Sequence, residues 1–162
     1  MELYLIRHGL AGEFGSYPDD RDRPLTEAGK KKTQLVAERL KTLSIQFDQV
    51  LSSPFARAWQ TAEILLQVGL SNRLEVADYL APAGEMSAWL DWLLTWKTGS
   101  QGTLALVGHE PDLSRWAEIL LWGEYKGVIT LKKAGVIGLA VPDSEPVGNA
   151  SLFWLTPPRL LL

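Results

Sequence analysis

The sequence predicts an α/β protein: a three-layer α/β/α sandwich with a mostly parallel central sheet and antiparallel strands at its C-terminal edge. Three observations predict it. Short apolar runs alternate with segments of helical periodicity as far as Trp122. Beyond Trp122 the pattern changes to strand-like runs separated by turn residues. His8, Ser53 and His109 each follow an apolar run directly, as residues at the carboxyl rim of such a sheet do.

Glu2 to Arg7 encloses the continuous apolar run Leu3-Tyr4-Leu5-Ile6, the mark of a strand buried on both faces. A polar loop rich in Gly and Asp continues to Arg23. A helix follows with Thr26 as its N-cap, and Ala28, Leu35, Val36, Leu40 and Leu43 are its expected apolar face. Asp48 to Leu51 reads as the second strand. Ser53 reads as the cap of the next helix, with Pro54 at its first position and an end near Val68. Leu74 to Ala77 is a short strand, and Pro82-Ala83-Gly84 breaks the chain before a helix over Glu85 to Lys97. Thr103 to Val107 is a strand and Pro111 to Trp122 a helix. Three strands are expected to close the chain: Val128 to Leu131, Val136 to Val141 and Ser151 to Leu155.

The 162 residues, 46% hydrophobic and 22% charged, fit one domain over residues 1–162 with its own core. A net charge of −3 gives no reason to expect nucleic acid as a partner. The absence of cysteine excludes disulfides, a thiolate nucleophile and thiolate metal ligands. No basic n-region opens the chain, and no run approaches the ~18 apolar residues of a membrane span. A cytoplasmic protein without a membrane partner is the expectation.

The chemistry concentrates at few positions. The chain has two histidines. His8 sits in Leu5-Ile6-Arg7-His8-Gly9 and His109 in Leu106-Val107-Gly108-His109-Glu110-Pro111. Neutral imidazole attacks phosphorus or shuttles a proton near pH 7. The adjacent Arg7 offers the planar fork that holds phosphate. Arg57 falls in the first turn of the helix after Ser53-Pro54, where the dipole opposes a cation unless an anion is near. The bland readings cover the rest. Glu13, Asp19 and Asp20 are loop charges, and Arg23 either binds phosphate or pairs within its acidic loop. Trp89, Trp92 and Trp96 recur at helical spacing, as core packing requires. No Gly-x-Ser-x-Gly elbow, Walker A or dinucleotide fingerprint occurs.

Four ordered segments carry a resemblance. They are Arg7-His8-Gly9, Arg23-Pro24-Leu25-Thr26-x-x-Gly29, the Ser-Ser-Pro-x-x-Arg-Ala-x-Gln-Thr-Ala string from Ser52 to Ala62, and Gly108-His109-x-Pro111. Together they resemble the histidine phosphatase superfamily, the phosphoglycerate mutase-like fold. The size and the closing Leu155-Thr156-Pro157-Pro158-Arg159-Leu160 resemble its SixA-like protein-histidine phosphatases. The resemblance implies that His8 attacks phosphorus and becomes phosphohistidine. It implies that Arg7, Arg57 and His109 act with His8, and that Arg7, Arg23, Arg57, His109 and the Glu110 backbone N–H bind phosphate. No metal and no other cofactor is implied. The implied partner is a phosphohistidine-bearing phosphotransfer or signalling protein, with inorganic phosphate as product.

One departure from the wider superfamily bears on substrate. Phosphomonoesterases of this fold place a carboxylic acid in a loop that corresponds to Tyr79-Leu80-Ala81-Pro82-Ala83-Gly84, which has none. Asp78 and Glu85 flank it. An alkoxide leaving group needs that proton, whereas the N–P bond of phosphohistidine breaks more readily. The alternatives are a small-molecule phosphomonoesterase with Asp78 or Glu85 as acid, and a non-catalytic phosphate-binding module.

Overall fold

The structure, a computed structural model, describes residues 1–96 and 102–162. Its elements in chain order are β1 (Glu2–Arg7), α1 (Glu27–Thr42), β2 (Gln49–Ser52), α2 (Ala56–Val68), β3 (Leu74–Val76), α3 (Met86–Thr95), β4 (Thr103–Gly108), α4 (Asp112–Trp122), β5 (Val136–Ala140) and β6 (Ser151–Thr156). Six strands form one sheet in the order β3-β2-β4-β1-β5-β6. The first four in space are parallel, and β5 and β6 complete an antiparallel edge.

The pleat explains the layers. Successive side chains of a strand point to opposite faces. Tyr4 and Ile6 of β1 and Ala105 and Val107 of β4 therefore meet Val36, Leu40, Ala58, Ala62 and Leu65 of α1 and α2. Leu3, Leu5, Leu104 and Leu106 face Trp89 of α3 and Leu113, Trp116 and Leu120 of α4. Trp89 is wholly buried and stacks on Trp116 with ring centroids 5.9 Å apart. Trp92 and Trp96 are half-buried and stack on each other. Among the described residues no helix is long and apolar enough to cross a membrane.

Several expectations need correction. Ala28, Leu35 and Leu43 are exposed; the face that α1 buries is Gly29, Thr33, Val36, Ala37 and Leu40. Close approach is the reason. A Cβ on Gly29 would run into the Leu10 carbonyl, and one on Gly9 into Thr33 Oγ1. The side carrying Gly29, Thr33 and Ala37 therefore turns inward, and Leu35 and Leu43 turn out. Thr26 does cap α1, accepting the Gly29 N–H at 3.0 Å. Helix α2 starts at Ala56 with Phe55 as its N-cap, so Ser53 and Pro54 precede it. Helix α3 is Met86–Thr95, and Lys97 lies outside the described residues.

Val128 to Leu131 is not a strand. The wholly buried Glu118 of α4 accepts the N–H groups of Lys126 (2.5 Å), Gly127 (2.6 Å), Val128 (2.7 Å) and Ile129 (2.6 Å). A carboxylate has taken the donors that a β-ladder would use. Desolvation opposes the anion, but these four donors outweigh it and hold the Glu118 carboxyl below its ordinary range.

Candidate active site

The sheet order brings three segments to one rim. β4 lies between β1 and β2, with Arg7 opposite Gly108 and Ser52 opposite Val107. The next residues continue the pairing for one bond each. His8 N–H donates to the Gly108 carbonyl at 3.1 Å, and Ser53 N–H to the Val107 carbonyl at 3.0 Å. His8, Ser53 and His109 thus stand side by side where the strands end. The His8 and His109 rings are 5.1 Å apart, and both are buried.

Each imidazole has a defined orientation. His8 Nδ1 lies 2.7 Å from the Gly9 carbonyl, which can only accept. Nδ1 therefore carries the proton, and Nε2 keeps its lone pair. Gly9 is fixed in turn by its N–H, which donates to Thr61 Oγ1 at 3.0 Å. His109 Nε2 lies 2.8 Å from Ser53 Oγ, which also accepts the Phe55 N–H at 3.2 Å. Among the described residues the buried Ser53 hydroxyl has no other acceptor for its proton, so it donates to Nε2 and the His109 hydrogen sits on Nδ1. Burial pushes the pKa of both histidines down from 6.5 to about 3. For His8 the Gly9 carbonyl opposes this, while Arg57, Arg7 and Lys133 add to it. For His109 the neighbouring His8 and Arg57 add to it.

The cations gather around this pair. Arg57, 3% exposed, donates from Nη1 to the Asp20 carbonyl (2.8 Å) and pairs from Nη2 with Asp20 Oδ2 (3.0 Å). Arg23 pairs with the other carboxylate oxygen, Nε to Oδ1 at 2.7 Å, and reaches the Gly12 carbonyl from Nη1 at 2.9 Å. Asp20 thus joins two of the candidate phosphate-binding arginines, and Arg23 above all holds its carboxyl below the ordinary range. Arg7 Nη1 donates to the Leu131 carbonyl at 2.9 Å. Six buried side-chain polar atoms have no hydrogen-bond partner among the described residues, and three of them belong to this site: Arg7 Nε, Arg57 Nε and His109 Nδ1. Buried donors are rarely left unpaired, and three on adjoining cationic or imidazole groups suit a bound oxyanion.

Two contributors escaped the sequence. Asp20 has the sequence context of a loop charge, and its spacing to Arg23 is the one local signal of its role. Lys133 lies in the loop before β5, where Ala134 N–H donates to the Arg7 carbonyl at 3.1 Å. Burial lowers the Lys133 pKa, and Arg7, Arg23 and Arg57 lower it further. It belongs to the same field of cations. Asp78 and Glu85 are exposed. Glu110 is half-buried, accepts the Ser114 hydroxyl at 2.7 Å, and has its pKa raised by burial despite the opposing Arg7. Among the described residues no three His, Asp or Glu cluster as metal ligands.

Known proteins share this framework. Residues 3–80 match the family model of the histidine phosphatase superfamily, branch 1. An uncharacterized protein of Picosynechococcus sp. is 44% identical over all of this chain and 99% of its own length. Phosphohistidine phosphatase SixA of Escherichia coli is 28% identical, over 98% of this chain and 94% of its own. The solved structure of protein histidine phosphatase SixA complexed with tungstate superposes with a TM-score of 0.85 at 27% identity, covering 100% of both chains. These likenesses support a phosphatase. The chain belongs to the histidine phosphatase superfamily, in its SixA-like group.

Proposed function

We propose that this chain hydrolyses phosphohistidine on a phosphotransfer or signalling protein, with His8 as nucleophile. The observation that carries the reading is the His8 tautomer: Nδ1–H is given to Gly9, which leaves the Nε2 lone pair beside the arginines. The His8 Nε2 lone pair forms the new N–P bond, and the bond from phosphorus to the substrate imidazole breaks. That imidazole, protonated from solvent on its unphosphorylated nitrogen, keeps the electron pair of the broken N–P bond and departs neutral. Water then attacks the phosphohistidine on His8, releasing inorganic phosphate and restoring Nε2. Arg7, Arg57, Arg23 and the Glu110 backbone N–H hold the non-bridging oxygens, and His109 gives its Nδ1–H as charge grows. Alignment and electrostatics suffice for such a transfer. The cations supply the counter-charge, so exhaustive chelation is expected to leave turnover intact.

Support comes from SixA: the Escherichia coli relative is a phosphohistidine phosphatase, and a SixA structure was solved with tungstate, an oxyanion of phosphate-like shape. The Tyr79 to Gly84 loop, tied to α4 by Ala83 N–H donating to Asp112 at 2.8 Å, brings no carboxyl of its own. The test is a side-by-side assay on a phosphohistidine protein and a panel of sugar phosphates. A rate gap of at least ~10²-fold in favour of phosphohistidine is expected, the usual cost of lacking a general acid. Efficient sugar-phosphate hydrolysis would overturn it.

One observation favours a second reading. Glu110 is half-buried and its carboxyl is raised by burial, which makes it a candidate general acid, whereas Asp78 and Glu85 are exposed. As a small-molecule phosphomonoesterase, the protein would lose ester hydrolysis in Glu110→Gln. As a phosphohistidine phosphatase it would keep its rate on phosphohistidine.

A further inference from the structure

A groove of about 790 Å³ opens beside the candidate active site, and Arg7 lines both. Four more cations line it: Lys32 from α1, Lys132 and Lys133 from the loop before β5, and Arg159 from the C-terminal segment. No carboxylate lines it. Among the described residues none of these four forms an ion pair. Outside the groove Lys31, Arg39 and Arg73 also form no ion pair among the described residues, but the groove sets five cations together with no carboxylate. A chain of net charge −3 thus gathers unpaired cations in one channel leading to the site. The floor is aliphatic, with Leu155, Pro157 and Pro158, and no aromatic ring is present to stack a base.

We infer that this groove docks an acidic, aliphatic-bearing segment of the phosphohistidine protein, adjacent to the phosphorylated residue. The inference rests on the proposed function. Charge complementarity across a rim steers encounter and sets partner choice, and an aliphatic floor fits a protein side chain better than a nucleotide. The groove shares Arg7 with the phosphate pocket, so a segment seated here lies next to the phosphoryl group. Lys32, Lys132 and Arg159 are exposed, stand outside the phosphate pocket and choose the partner; Lys133 is common to both regions.

The test compares two synthetic phosphohistidine peptides, one flanked by Asp and Glu and one by Lys, on the full chain. The wild type is expected to favour the acidic peptide by at least about tenfold in kcat/KM, through KM, and to lose the preference as salt rises. Combined Lys32→Glu, Lys132→Glu and Arg159→Glu should abolish the preference while hydrolysis of phosphoramidate stays unchanged, which also reports an intact fold. Equal use of the two peptides by the wild type, or a preference that survives the triple change, overturns the docking inference. So does inhibition by inorganic tripolyphosphate that the triple change relieves when no peptide preference exists; the groove would then serve a small polyanion. Binding of the unphosphorylated acidic peptide, followed by anisotropy, reads the groove without turnover. Salt-sensitive binding lost in the triple variant, with no phosphohistidine hydrolysis, would sink the catalytic reading alone.

Discussion

Two walls of the candidate phosphate pocket are built by different means. One wall is His8, His109 and Arg57, at strand ends and the first turn of α2, locked by backbone bonds such as His8 N–H to Gly108. The other is Asp20, Arg23 and Lys133, on a short 3-10 turn, at its end and on a loop, held by ion pairs or by contacts to β1. A strand end fixes an atom by many cooperative bonds, whereas a loop fixes it by a few. Under the proposed function, the first wall performs bond making and the second captures charge. Asp20 joins them, because its carboxylate holds Arg57 of one and Arg23 of the other.

The sharpest way to break this division is at His8. His8→Ala is expected to abolish turnover and all acid-labile labelling from a radioactive phosphodonor. A label that persists would move the nucleophile off the strand-end wall. Arg57→Ala comes next. Removing a donor aimed at a transition-state oxyanion costs roughly 10²–10³ in kcat, and that is the expected loss. Lys133→Ala, on the loop wall, should instead raise KM with kcat nearly unchanged, since charge capture acts on ground and transition states alike. Equal losses of kcat in both variants would erase the distinction between the walls.

The segment that leads into Lys133 is held by a buried carboxylate. Glu118→Gln keeps the shape but replaces one acceptor oxygen with a donor facing N–H groups of residues 126–129. Hydrogen bonds to charged groups contribute about 1.5–3 kcal/mol each, so a stability loss of that order is expected in denaturant unfolding. The phosphoramidate KM should rise while labelling of His8 continues. An unchanged midpoint would show that the loop does not rely on Glu118.

The two walls also differ in how far the sequence reveals them. His8, His109, Arg7 and Arg57 follow from local signals: an apolar run that ends in a reactive side chain, and an arginine at a helix start. The strands before them were legible because burial on both faces forces continuous apolar runs. The loop wall depends on contacts between distant residues. Asp20 meets Arg57 across 37 positions, and no local pattern marks that pairing. Val128 to Leu131 has the composition of a strand, yet Glu118 from the preceding helix claims its N–H groups. Ser53 has the local pattern of a helix cap, and its structural partners are His109 and the Phe55 N–H just ahead of the helix.

A smaller effect sharpens the comparison through pH. Burial, with neighbouring cations, lowers both histidines of the strand-end wall from 6.5 to about 3. With the folded pKa depressed, the unfolded chain binds protons first as pH falls below about 6.5. The histidines therefore cost no stability above that value, and they erode it progressively between 6.5 and 3. A bound dianion reverses part of the shift, because it offsets the arginines and favours imidazolium. Sulfate keeps its charge between pH 7 and pH 5, so its affinity should rise several-fold over that interval, with proton uptake measurable by calorimetry in two buffers. His109→Gln should remove part of the uptake and leave the remainder to His8. Sulfate affinity that stays constant with pH, with no proton uptake, would place the anion against the loop wall and away from both imidazoles.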